Sequence, residues 1–250
     1  RNADRGNAIH AVFEQIDRAR VQGAVPGITT VGEWIAAAVG AFPGAYSQID
    51  LVKGAVEKYL GNPSPYLTPE TACEFPISFQ RWDEESFVDD VVPGRAYVRV
   101  LAEGEKTTYL TMKLDQLSVD HQLKTATVLD HKSTPNASRN SEHGFQLGVY
   151  AWGASLLYPG YQIRTVIHFA HPDLNYYQPP EVWSPEDIAE IRDEVHARIA
   201  AVESFREYPA LPGTACDYCH MVQQCPEYRQ LVDQDRTFRA ERALLAGTDY

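Results

Sequence analysis

Asp115, Asp130 and Lys132 are the residues of this sequence whose types and spacing best suit chemistry. Asp115 ends one segment of alternating apolar and polar residues. Fifteen residues later, Val128-Leu129-Asp130-His131-Lys132 ends the next. If the two segments are strands joined by a turn, both acids meet at one end of a sheet. Lys132, two residues beyond Asp130, then points to the same face. Hydrolysis of a phosphodiester draws on such a set. Hard oxygen ligands hold Mg²⁺ or Mn²⁺, which activates water and offsets charge on the scissile phosphate, while a cation orients the nucleophile. A lysine, as a compact point charge, suits the second role. An isolated Asp-x-Lys is more often a pair of strand-end acids with a surface lysine, so the motif needs company.

Company is present on both sides. Gln146 and Tyr150 stand four residues apart in a helical segment, so they share a face, and the stretch 133–144 returns that helix toward the strand carrying Asp130. Upstream, Ile9, Val12, Phe13 and Ile16 form one apolar stripe of a helix over 7–20, with His10 beside it. By residue type alone, His10 suits a core-edge histidine better than a ligand. Cys216, Cys219 and Cys225 cluster as CDYCHMVQQC, unlike the spread cysteines of a disulfide framework. Three thiolates at this spacing fit zinc, with His220 as a conceivable fourth ligand, or an iron-sulfur cluster, which takes four thiolates. Spacing leaves both open.

The elements that must position these residues follow from periodicity. Two short helices are predicted, near 31–41 and 48–59, within a helical insertion over 23–70. CEFPISF, RAYVRVL, TYLTMKLDQL, QLKTATVLDHK and IRTVIHF read as strands, with Gly104-Glu105 and Asp120-His121 as turns. Residues 145–157 return to helical spacing. Ser184-Pro185-Glu186-Asp187 opens a long helix over 184–207, with an N-cap serine, proline at the first position and acids in the first turn. The expected fold is α/β, a mixed central sheet flanked by helices. The expected organisation is a single domain over 1–250, with the catalytic sheet and motif helix in 71–170 and a cysteine-bound tail in 208–250.

The ordered set resembles the PD-(D/E)XK nuclease superfamily, with its restriction-endonuclease-like core, and specifically the RecB-like exonuclease branch with a C-terminal iron-sulfur cluster, known from CRISPR-associated and phage relatives. That family reads, in order, a helix with Gly and His, a strand Asp, an Asp/Glu-x-Lys strand, a Gln-x-x-x-Tyr helix and Cys-x2-Cys-x5-Cys. Here these are Gly6 and His10, Asp115, Asp130 with Lys132, Gln146 with Tyr150, and Cys216, Cys219 and Cys225. The resemblance implies a divalent metal, Mg²⁺ or Mn²⁺, on His10, Asp115, Asp130 and the carbonyl of His131. It makes Lys132 the catalytic lysine, with Gln146 and Tyr150 supporting it or orienting the substrate. It favours a 4Fe-4S cluster over zinc at the three cysteines. In such relatives a fourth cysteine lies upstream of the His helix, and the expectation is that it precedes Arg1 here, with Cys73 as the alternative. The cluster's expected role is structural, closing a long loop. Glu74, at the start of the first strand, suits a site acid and a solvated strand residue equally and is not assigned.

The implied activity is Mg/Mn-dependent hydrolysis of DNA, single-stranded or at free ends, in recombination, repair or phage or CRISPR-type processing. A non-catalytic iron-sulfur module of the same fold, binding DNA within a protein complex, is the alternative. A zinc-bearing structural protein with an accidental Asp-x-Lys is a third. No run approaches the roughly 20 apolar residues of a membrane helix and the first ten residues lack signal-peptide order, so a cytoplasmic protein without membrane contact is expected. With 22 Lys and Arg against 34 Asp and Glu, the net charge of −12 excludes a basic nucleic-acid coat. The acidity is uneven. Residues 83–90 carry five acids and no base, whereas 106–139, around the candidate site, carry five bases and three acids.

Overall fold

A computed structural model describes residues 2–81, 90–93, 107–134 and 141–204, together with 216, 219, 222, 224–230 and 232. The chain divides into two compact units, 1–197 and 198–250.

The first unit opens with helix α1 (Asn2–Val21), α2 (Ile28–Ala41), a 3₁₀ turn (Pro43–Gln48) and α3 (Ile49–Gly61). Strands β1 (Ala72–Arg81), β2 (Asp90–Pro93), β3 (Thr107–Asp120) and β4 (Thr125–Lys132) follow. Helix α4 (Ser141–Leu157) leads into β5 (Gln162–His171), β6 (Leu174–Tyr177), β7 (Glu181–Trp183) and α5 (Pro185–Ser204). The sheet order is β2-β1-β3-β4-β5-β6, with β7 also paired to β5. Every pairing is antiparallel except β4 with β5, the two strands joined through α4. The mixed α/β architecture expected from sequence is thus present. The predicted strand RAYVRVL, the turn at 104–105, and most of the acidic run 83–90 lie outside the described residues. The short strands β2, β6 and β7 are not among those the sequence predicts.

Burial explains the layering. All of β4 except its last residue is buried, as a central strand covered on both faces must be. On one side, Ile9, Val12, Phe13 and Ile16 of α1 pack with Val31, Val52 and Tyr59 of α2 and α3. On the other, Leu147 of α4 packs with Ile167 and Phe169 of β5, against Trp183. Gly148 permits that second layer: a Cβ there would stand 2.6 Å from the Ile191 side chain of α5 and 3.1 Å from Trp183. The start of α5 carries the predicted N-cap serine, here as half of a reciprocal cap. Asp187 N–H donates to Ser184 Oγ at 3.1 Å, and Ser184 N–H donates back to Asp187 Oδ2 at 3.0 Å. The β3–β4 turn is likewise closed by its aspartate, since Asp120 Oδ1 accepts from the N–H groups of Gln122 and Leu123, both at 2.9 Å.

Asp17 is the unusual group of the helical layer. It is only 1% exposed, and both its oxygens accept from the Tyr59 hydroxyl, at 2.7 and 2.8 Å. Burial raises its carboxyl to about 7, against the opposing pull of Tyr59 and Arg20. An acid raised on folding contributes stability that is complete below the ordinary carboxylate range and lost as pH rises through about 7. The stability of the wild type relative to Asp17→Asn, measured by urea unfolding, should therefore fall steadily from pH 4 to pH 8. A constant difference would show that Asp17 titrates normally.

Candidate active site

Where β3 and β4 part, their acids come together. The last pair of their ladder is Gln116 opposite Leu129, so Asp115 and Asp130 lie one step beyond it. Asp115 is not at the end of its strand, as the sequence pattern suggested. It sits within β3, whose residues 116–120 continue past it to pair with β4.

Each acid has its own cationic or N–H partner. Asp115 Oδ1 stands 3.5 Å from His10 Nδ1, and Asp115 Oδ2 accepts the backbone N–H of His131 at 2.7 Å. Asp130, 3% exposed, holds Lys132 Nζ at 2.8 Å. Lys132 also donates to Gln146 Oε1 at 2.9 Å, and Gln146 Nε2 donates to the Tyr150 hydroxyl at 2.7 Å. The predicted Asp-x-Lys and Gln-x-x-x-Tyr motifs therefore meet in one continuous line from β4 to α4.

The electrostatics follow from these contacts. Burial opposes ionisation of Asp115, but the charge and hydrogen bond of His10 outweigh it, and its carboxyl is held well below the usual range. His10 shows the converse, since burial lowers it and the charge and hydrogen bond of Asp115 raise it to a net increase. Asp130 is pushed up by burial and then by the charge of Asp115, against the pull of Lys132. Two neighbouring buried carboxylates cannot both ionise freely, and here the one beside His10 keeps its charge.

Two contacts set the position of α1. Arg5 donates to Ser133 O at 3.0 Å and to Gln48 Oε1 at 2.9 Å, tying α1 to the segment after β4. Gly6 allows the approach, since a Cβ there would stand 2.9 Å from Ser133 Oγ. Behind the site, the buried ring of His131 shares a hydrogen with His168, Nδ1 to Nδ1, at 2.8 Å. Across the ring of His168, Nε2 meets Asn175 Oδ1 at 2.5 Å. Trp152 is buried core at 1% exposed.

A cleft of about 490 Å³ opens beside His10 and Asp115, lined also by Asn7, Glu14, Glu74 and Lys113. Among the described residues, His10, Glu74 and Asp115 offer metal-ligating atoms within 4.8 Å of one another. Two carboxylates and an imidazole on an open cleft are a donor set that fits a divalent cation. Glu74 is the residue that sequence reasoning left unassigned. Its only signal was its place at the start of β1, and the register that brings it beside Asp115 is a tertiary fact.

A family model for the PD-(D/E)XK nuclease superfamily matches residues 1–226. The chain belongs to that superfamily. The match spans every motif from Gly6 to Cys225, and the mixed sheet with flanking helices agrees with the restriction-endonuclease-like core of these nucleases. The solved crystal structure of SSO0001 is similar over 87% of this chain and 84% of its own, at 13% identity and a TM-score of 0.40. No curated protein matches the chain. Among the described residues, no helix of this nuclease-family chain is long and apolar enough to cross a membrane.

In the tail, Cys216, Cys219 and Cys225 form no disulfide among the described residues, and neither does Cys73. Cys219 N–H donates to Cys216 O at 3.2 Å, and Tyr228 N–H donates to Cys225 Sγ at 3.4 Å. Cys73 differs in chemistry: burial, then the charges of Asp17 and Glu14, push its thiol up to about 12.

The coupling of His10 to Asp115 is directly measurable. In Asp115→Asn, His10 loses the strongest charge and the hydrogen bond that oppose its burial, with the charges of Asp130 and Glu74 remaining, so its titration by proton NMR should move downward from its raised wild-type midpoint. An unchanged midpoint would mean that the two side chains do not meet.

Proposed function

We propose that this chain is a metal-dependent DNA exonuclease that hydrolyses phosphodiester bonds of single-stranded DNA or DNA ends. The observation that carries the reading is the line Asp130–Lys132–Gln146–Tyr150, set beside the His10–Asp115 pair at the edge of an open cleft. Its residues come from four separate elements, and packing alone gives no reason for them to converge. Exonuclease action on ends, and a place in recombination, repair or phage or CRISPR-type processing, are supported by the RecB-like order of the motifs.

When bound, a divalent cation would supply Lewis acidity toward the phosphate and toward a water molecule. Asp115, Asp130, His10 and the carbonyl of His131 are its ligands in this reading. Asp115 arrives already ionised, because His10 and the His131 N–H stabilise its charge. Asp130 arrives with its proton more firmly held, and a cation nearby favours its release. Lys132 keeps its ammonium between Asp130 and Gln146, where it faces the charge that develops on phosphorus. Gln146 holds the lysine through its oxygen and Tyr150 through its amide, so both α4 residues position Lys132.

The cysteine tail is read as the site of a 4Fe-4S cluster with a structural role. Cys216, Cys219 and Cys225 supply three of the four thiolates such a cluster takes. The N–H donated to Cys225 Sγ suits a thiolate. No step of the hydrolysis passes through this cluster.

Two assays test the proposal. Purified protein with Mn²⁺ should shorten end-labelled single-stranded DNA progressively, and Lys132→Ala should lower the rate by about 10²-fold or more. Equal rates in the two proteins would remove Lys132 from the mechanism, and intact DNA with the wild type would remove the activity. Separately, the protein should be brown, and Cys216→Ala should lose the visible absorbance and lower Tm. A colourless, zinc-containing preparation would replace the iron-sulfur reading.

A further inference from the structure

Glu70, His121 and Tyr161 meet where β3 turns into β4, at the end of these strands away from Asp115 and Asp130. The five steps of extended strand from Asp115 to Asp120 span roughly 17 Å, so this cluster is separate from the cleft. We propose that the three side chains form a self-acylation site, in which Tyr161 is the nucleophile toward an activated acyl donor, His121 its base and Glu70 the group that orients the base. The proposal uses no residue of the metal site and does not depend on the nuclease reading.

Geometry carries it. His121 Nδ1 stands 2.6 Å from the Tyr161 hydroxyl, and His121 Nε2 stands 2.5 Å from Glu70 Oε2. Glu70, as a carboxylate, only accepts, so the hydrogen it shares with the ring belongs to Nε2. In the neutral imidazole Nδ1 is then a bare lone pair, and the Tyr161 hydroxyl donates to it. A hydroxyl, a base and an acid that aims the base, each within hydrogen-bond reach of the next, is how proteins activate an oxygen nucleophile.

Each member is fixed by a turn of its own. The Glu70 N–H donates to Thr68 Oγ1 at 3.3 Å, in a turn closed by the Thr68 N–H on Thr71 Oγ1 at 2.8 Å. Thr71 Oγ1 in turn donates to Ser118 Oγ of β3 at 3.0 Å. His121 begins the β3–β4 turn that Asp120 closes. The Tyr161 N–H donates to Tyr158 O at 3.1 Å, and the Gln162 N–H beside it donates to Lys124 O at 2.8 Å. The three turns are thus held by hydrogen bonds other than those of the cluster, which leaves the cluster preorganised.

An acyl donor has access, since the side chains of His121 and Glu70 are 50% and 58% exposed. Tyr158, its ring centroid 5.6 Å from that of Tyr161, supplies a contrast. Burial, then the charges of Glu70 and Tyr161, push its phenol up. Nearness to Glu70 alone makes a phenol harder to ionise, and a base between the two changes that. In the proposed step the Tyr161 oxygen bonds to the acyl carbon as the bond from that carbon to its leaving group breaks. The phenol proton passes to His121 Nδ1 and on to the leaving group. The products are O-acyl-Tyr161 and the protonated leaving group, with no change of oxidation state.

The probe is N-acetylimidazole, applied to the full chain at mildly alkaline pH, with acetylation of each tyrosine followed by peptide mass spectrometry. Tyr46, 72% exposed, is the reference for an accessible phenol. Tyr161 should be acetylated about tenfold faster than Tyr46 or more. His121→Gln should bring Tyr161 down to the Tyr46 rate or below with Tyr46 itself unchanged, and Glu70→Gln should fall between. Equal rates at Tyr161 and Tyr46 in the wild type overturn the proposal, a comparison that needs no variant. So does a His121→Gln, folded by circular dichroism, whose Tyr161 reacts as fast as in the wild type.

Discussion

The structure depends on keeping two neighbouring carboxylates, Asp115 and Asp130, at a place where the protein has largely excluded water. Unpaired, such charges cost several kcal/mol each to bury, and side by side they also repel. The surrounding elements supply the compensation. Helix α1 contributes His10, the start of the β4 exit contributes the His131 N–H, and the end of β4 contributes Lys132. Arg5 and the missing Cβ of Gly6 bring α1 close enough, while Gln146 steadies the lysine from α4. A nuclease of this family gains from the arrangement because the same imbalance that makes the acids costly makes the site attractive to a divalent cation.

Much of this was legible in the amino-acid sequence. Period-3.6 and period-2 patterns placed α1 to α5 and the central strands within a few residues, and the N-cap serine at Ser184 was readable from four consecutive residues. The Asp, Asp-x-Lys and Gln-x-x-x-Tyr motifs were legible because each is local, and only their convergence needed the fold. Glu74 was not legible. Its importance lies in a register, Cys73 with Gln116 and Phe75 with Leu114, that joins residues some forty positions apart. The Asp17–Tyr59 pair was hidden for the same reason, since nothing near Asp17 in sequence announces a buried acid. Strands β6 and β7 are four and three residues long, too short for a periodic pattern to register.

Net charge also changes meaning once the fold is known. Taken as a total, −12 opposes a polyanionic substrate. Around the cleft, however, acids are matched by Lys113, Lys132 and His10, and the acids that remain are those a cation would neutralise. Affinity for nucleic acid would then depend on bound metal more than on a permanent basic surface.

The amide of Asn175 has a reach beyond its size. Its nitrogen donates to the carbonyls of Lys58 and Asn62 at the end of α3, which obliges its oxygen to face His168. His168 must therefore carry hydrogen on Nε2. Burial pushes this imidazole down to about 4, so it is neutral and its Nδ1 is left as a bare lone pair. The shared hydrogen between the two rings consequently sits on Nδ1 of His131. Two carbonyls at a helix end thus dictate, three groups away, the tautomer of the residue whose main chain touches Asp115. Direction, not charge, is what this line of hydrogen bonds transmits across the sheet.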